Sequence, residues 1–139
     1  MLELLKQYVL KHTLIQNGQK VLLAVSGGID SMVMLKLFCD LETYPLAIAH
    51  CNFKLRGDES DEDQQFVKKS ALEKNIEFYT VNFDTRHYAN ENGLSVQMAA
   101  RKLRYDWFLK LAEDNNFERV AIAHNRDDIV ETMLINLVR

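Results

Sequence analysis

Ser26-Gly27-Gly28-Ile29-Asp30-Ser31 follows an apolar run and precedes a helical pattern. At such a junction backbone N–H groups and a helix dipole converge on any bound anion. Two glycines admit positive φ and close approach of phosphate oxygens, and Ser26, Asp30 and Ser31 add hydrogen-bonding groups at the helix start. The chemistry suggested is phosphate binding, weighed against a merely capped strand-to-helix turn. The loop has neither the G-x-x-x-x-G-K-S/T nor the G-x-G-x-x-G spacing, and no lysine stands in it to reach a γ-phosphate.

Two further segments carry charge at useful spacing. Arg101 and Arg104 fall at i and i+3 of a helical pattern, placed to grip one anion together, or else to form a solvated basic stripe. His124 directly follows an apolar run, and Asp128 and Glu131 share one face of the pattern after it, so all three can point into a common pocket. The two acids read either as ligands of Mg²⁺, which takes a few carboxylates along with waters and substrate phosphates, or as the receptor of an ammonium group. Asp127 reads as an acid at a helix N-terminus. A fourth segment runs from His50 to Asp63, and most of its carboxylates read as the solvated acidic start of a helix.

The elements that must position these residues alternate. Helical spacing over 2–16 ends at Asn17-Gly18, and 20–25 is a continuous apolar run suited to a strand buried on both faces. Helix 30–42, strand 46–50, helix 60–75, strand 76–83, a polar stretch 84–94, helix 95–114, strand 118–124 and helix 126–139 follow. This order predicts an α/β fold of Rossmann type: a parallel sheet with helices on both faces, right-handed crossovers, and a ligand site at the carboxyl ends of the strands.

The 139 residues, 47% apolar and 27% charged, suit one globular domain. Net charge is −3, so bulk electrostatics offer no general affinity for nucleic acid. Cys39 and Cys51 stand twelve positions apart without a C-x-x-C pair, which suggests two buried thiols. Charged residues interrupt the N-terminal apolar pattern, so no signal peptide or membrane span is expected and a cytoplasmic location is. The helical pattern runs to Arg139 without a stop signal, and residues 1–139 are expected to be a catalytic domain cut from a longer chain.

S-G-G-x-D-S after a buried first strand resembles the PP-loop of the ATP pyrophosphatase superfamily, whose fold is also described as adenine nucleotide alpha-hydrolase-like. The segment from His50 is similar to the H-x-N-x-x-L-R element of the tRNA(Ile)-lysidine synthetases, with Ser60 and Asp63 following it. Residues 100–105 resemble their A-R-x-x-R-Y, and residues 123–132 their A-H-x-x-D-D-x-x-E-T. Phe53 and Asn125 depart from that pattern, standing where many members carry histidine.

The resemblance implies adenylation of carbon 2's oxygen on the anticodon wobble cytidine of tRNA(Ile), then displacement of AMP by the ε-amine of L-lysine. ATP would lie on Ser26, Gly27, Gly28, Ile29, Asp30 and Ser31, with Mg²⁺ near Asp30. Asp30, Arg104, His124, Asp128 and Glu131 would act in catalysis, and His50, Asn52, Arg56 and Arg101 would bind substrate. The partners implied are tRNA(Ile) with a CAU anticodon and L-lysine. C-terminal tRNA-binding domains would lie beyond this chain, and a homodimer is admitted. A tRNA 2-thiolation enzyme on the same scaffold and a non-catalytic ATP-binding module are the competing readings.

Overall fold

A computed structural model describes residues 18–123 in full and the backbone of 132–136. The expected helix over 2–16 lies outside the described residues, as do His124, Asn125, Asp127, Asp128 and Glu131.

β1 (Val21–Ala24) is the middle of the sheet, with Val21, Leu22 and Leu23 wholly buried. A strand covered on both faces must be apolar at successive positions, which is why the run does not alternate. α1 (Ile29–Leu41) leads to β2 (Leu46–Asn52), and α2 (Asp58–Glu73) leads to β3 (Glu77–Asn82). After α3 (Thr85–Asn92) and α4 (Val96–Asn115) the chain returns as β4 (Arg119–Ala123). β1 pairs in parallel with β2 and β4, and β2 with β3. A final strand, β5 (Thr132–Asn136), pairs antiparallel to β4, giving the order β3-β2-β1-β4-β5.

The two faces bury separate cores. Val21, Leu23, Val25, Ile48 and Ala121 meet Met34, Leu35 and Phe38 of α1 and Val67 and Ala71 of α2. Leu22, Ala47, Ala49, Val120 and Ile122 meet Phe108, Leu111 and Ala112 of α4, with Phe117 beyond it. The period-2 alternation of β-carbons separates these sets. The parallel α/β sheet with helices on both faces is therefore as expected.

Two local expectations are corrected. Part of the expected helix 126–139 is strand: Thr132–Asn136 extends along β4, Ala123 opposite Thr132 and Arg119 opposite Asn136. Short apolar runs do not distinguish helix from strand by periodicity, and the outer edge of β4 offers unpaired backbone groups that a strand satisfies. The polar stretch 84–94 also contains a helix, α3. Its apolar content is low, but Asp84 caps it by accepting from the His87 amide at 3.3 Å, and Gly93, at φ 62°, closes it.

Candidate functional site

β1 delivers the chain to the sheet's carboxyl edge, where Val25 N–H still donates to the Ala49 carbonyl at 3.0 Å before the backbone turns away. Gly27 makes that turn with φ 98°, a region that L side chains rarely adopt. Gly28 then stands at φ −73°, ψ 167° as the N-cap of α1. The serines close the loop. Ser31 Oγ accepts from the amides of Ser26 and Gly27, each at 3.2 Å, and from Ser26 Oγ at 3.2 Å, and it donates to the Gly28 carbonyl at 3.0 Å. Gly28 N–H donates to Ser26 Oγ at 3.2 Å. Successive amides thus point inward on one oxygen at a helix start, the geometry in which a phosphate oxygen is bound. Ser31 is buried, Asp30 half-buried, and Ser26, Gly28 and Ile29 are exposed at the mouth.

β2 supplies the neighbouring wall. His50 is 3% exposed, and its Nδ1 lies 2.8 Å from the Val25 carbonyl, so Nδ1 carries the proton and Nε2 is left as an acceptor. Burial holds this imidazole below its usual pKa, against opposing pulls from the Val25 hydrogen bond and the Asp63 charge. Nε2 is buried and finds no hydrogen-bond partner among the described residues.

Asn52, 1% exposed, works as a fastener. Its Nδ2 donates to Asp61 Oδ1 at 2.9 Å and Gln64 Oε1 at 3.0 Å, and its Oδ1 accepts from Lys54 N–H at 3.0 Å. Gln64 in turn donates to Thr80 Oγ1 and Asn82 Oδ1, both at 2.8 Å. Lys54 Nζ sits 2.7 Å from Asp61, and hydrogen bonds from Lys54 and Asn52 hold that carboxyl below its usual range. Arg56 is exposed, and its guanidinium pairs with Asp63 and lies 3.5 Å from Glu59. Asp61 and Asp63 are therefore partnered and not simply solvated.

α4 presents the arginines. Ser95 caps it by accepting from the Met98 amide at 3.1 Å. Arg101 is exposed and Arg104 half-buried, and their guanidinium carbons lie 5.1 and 5.2 Å from the Tyr105 ring centroid. Arg104 Nε is buried with no hydrogen-bond partner among the described residues. Beside it, burial pushes the Cys51 thiol up to about 12, opposed by the Arg104 charge.

These walls meet where the strand order reverses. β1 runs on to β2 on one side, while β4 lies on the other, and it is at the carboxyl ends of two such strands that a parallel sheet opens a crevice. One cleft there is lined by Ser26, Ser31, Cys51, Phe53, Arg104 and Ala123 among others. A second reaches His50, Asn52, Arg56 and Asp63, and a third Gln97, Arg101 and Arg104. The structure thus gathers Ser26–Ser31, His50, Asn52, Arg56, Arg101 and Arg104 on one rim. Phe53, common to the three clefts, and Gln64 and Asp63 were not singled out by spacing, because their place depends on contacts across the sheet. Among the described residues no group of three His, Cys, Asp or Glu forms a metal cage, and no helix is long and apolar enough to cross a membrane.

The family model described as the PP-loop domain matches residues 2–139. The chain is 43% identical over 139 residues to the tRNA(Ile)-lysidine synthase of Parabacteroides distasonis, covering all of this chain and 32% of that protein. It is 45% identical over 124 residues to that of Porphyromonas gingivalis W83, covering 89% and 27%, and 44% identical over 132 residues to that of Chlorobaculum tepidum, covering 93% and 40%. The chain thus spans about a third of the length of these curated relatives.

Among solved structures, the U34-tRNA thiolase NcsA from Methanococcus maripaludis superposes with a TM-score of 0.67 at 21% identity, over 89% of this chain and 45% of that one. The NH3-dependent NAD synthetase from Campylobacter jejuni gives 0.63 at 17%, over 86% and 53%. At these identities the likeness is one of fold.

Proposed function

The chain belongs to the PP-loop domain family, and on that premise we propose that it is the catalytic portion of a tRNA(Ile)-lysidine synthase. In this reading residues 1–139 bind and react ATP, and further parts of the protein hold the tRNA. The observation that carries the proposal is the crevice itself: a turn of inward-pointing amides faces a half-buried arginine, Arg104, across a cleft at the sheet's switch point. Identities of 43 to 45% to lysidine synthases support the choice of reaction.

The loop Ser26–Ser31 would hold the pyrophosphate end of ATP through its amides, with the Ser31 hydroxyl giving way to a phosphate oxygen. Arg104, with Arg101 beside it, would orient the cytidine carbonyl or the α-phosphate and offset charge as the α–β bond breaks. Attack by the carbonyl oxygen expels pyrophosphate. The lysine ε-amine then bonds to carbon 2 and AMP leaves with that oxygen. Asp128 and Glu131 would receive the ammonium group and accept its proton, and His124 would assist Arg104; all three are assigned from the motif.

Mg²⁺ fits as a companion of the nucleotide and not as a caged ion. Asp30, in the first turn of α1 beside the loop, is a carboxylate of the kind Mg²⁺ takes along with substrate phosphates. Bound there, the ion would neutralise charge on the leaving pyrophosphate. Sulfur transfer, the reaction of a thiolase, has less support, because the relatives at 43 to 45% identity are lysidine synthases while the likeness to a thiolase is one of fold at 21% identity.

The test is to incubate the intact protein with labelled ATP, lysine and unmodified tRNA(Ile) bearing CAU. AMP and lysine-labelled tRNA should appear together, and neither should appear when the wobble cytidine is changed. AMP without lysine transfer would assign the acceptor to another chemistry, and formation of ADP would overturn the adenylating reading.

A further inference from the structure

We propose that the ring of Phe53 is the platform on which the acceptor nucleobase stacks while its carbonyl meets ATP, an inference that rests on the adenylating reading above. Phe53 follows the last residue of β2, and its backbone is held on both sides. Its carbonyl accepts from Thr85 Oγ1 at 2.8 Å, while the next residue, Lys54, turns with φ 55° and bonds Asn52 Oδ1 through its amide. The ring is backed by a chain of aromatic side chains. Phe83 stacks on it at 5.8 Å and 24°, Trp107 meets Phe83 edge-on at 6.5 Å, and Trp107 packs on Phe108 at 5.7 Å. Phe108 is buried in the core beneath the sheet, so the ring is fixed to the body of the fold. It nevertheless stays half-exposed.

Its place defines what it meets. Phe53 is common to the cleft that touches Ser26 and Ser31, the cleft beside Arg56 and Asp63, and the cleft with Gln97, Arg101 and Arg104. The first side holds phosphate-binding amides and the last holds two cations and a side-chain amide. A carbonyl that attacks the α-phosphate must lie between the phosphate loop and the arginines, which is where this ring stands. A flat apolar ring flanked by guanidinium groups is the chemistry that takes a nucleobase by stacking and its phosphodiester by charge. Gln97 at the outer cleft offers a donor and an acceptor to the base edge.

The test compares the intact wild-type protein with Phe53→Leu and Phe53→Trp. Dissociation constants are measured separately for ATP and for a stem-loop RNA carrying the CAU anticodon, alongside thermal midpoints. Phe53→Leu should weaken RNA binding roughly ten- to a hundredfold, the range for losing one stacked base, with ATP affinity within about twofold. Phe53→Trp should restore it. Unchanged RNA affinity in Phe53→Leu overturns the proposal. So does a loss confined to ATP, which would make the ring an adenine contact, and so does failure of Phe53→Trp to restore binding at an unchanged thermal midpoint. Wild-type protein that adenylates RNA but transfers no lysine overturns the lysidine reading alone, since the Phe53→Leu comparison still decides the platform.

Discussion

Gly27 and Gly28 are adjacent and chemically identical, yet the structure assigns them different jobs, which two alanine substitutions separate. Gly27 has φ 98°, and a β-carbon there would lie 3.5 Å from Asp63 Cβ and Val67 Cγ2, an ordinary contact. The cost of Gly27→Ala is thus backbone strain and not collision, roughly 1 to 3 kcal/mol. Gly28, at φ −73° and ψ 167°, is in extended backbone open to any residue, and its β-carbon would meet Ser26 Oγ at 3.5 Å. Gly28→Ala should cost no more than about 1 kcal/mol, the poorer N-cap of α1 being partly offset by a less flexible unfolded chain. Its added methyl would instead stand where a phosphate approaches, and an ATP affinity loss of at least about tenfold, roughly 1.4 kcal/mol, is expected.

Urea unfolding can be followed through Trp107, the single tryptophan, which packs on Phe83 and Phe108. A strain of about 2 kcal/mol moves the midpoint by about 1 M for a chain of this size. ATP affinity is read by calorimetry on the same samples. The reasoning fails if Gly27→Ala unfolds within about 0.3 M of wild type, or if Gly28→Ala is the less stable of the two.

Three other outcomes follow from the walls of the crevice. Asn52→Ala removes a buried fastener from Asp61, Gln64 and the Lys54 amide, so it should cost roughly 1 to 3 kcal/mol in urea unfolding; a smaller loss would show that the network is dispensable. His50 is held below its ordinary value of 6.5, so the folded state keeps it neutral while the unfolded chain takes up a proton. Stability from this group is whole above pH 6.5 and declines as pH falls from there toward the folded value, by at most about 1.4 kcal/mol per pH unit. Unfolding midpoints at several pH values should fall more steeply for wild type than for His50→Asn, and equal slopes would refute a buried neutral ring. Finally, with its thiol pushed up to about 12, Cys51 should resist iodoacetamide at pH 8 in the native protein and react on unfolding. Rapid native alkylation at Cys51 would contradict that.

Local pattern alone was enough for the four parallel strands, most clearly for β1, which is covered on both faces and so is apolar at Val21 to Leu23, whereas β3 at the sheet's edge has no fully buried residue. It was also enough to put Ser26–Ser31 at a strand-to-helix junction and to set Arg101 and Arg104 on one helical face, since these follow from chain order and helical period. It did not reveal α3, whose caps Asp84 and Gly93 outweigh its polar composition, or the strand Thr132–Asn136, which depends on the free edge of β4. Nor did it distinguish Asn52 as a fastener from Phe53 as a cleft wall, although the two are neighbours. That distinction belongs to tertiary structure. Alternate side chains at a strand's end point to opposite sides, and only the packing of the helices on the two faces decides that Asn52 meets α2 while Phe53 is backed by Phe83 and Trp107 of the α4 side.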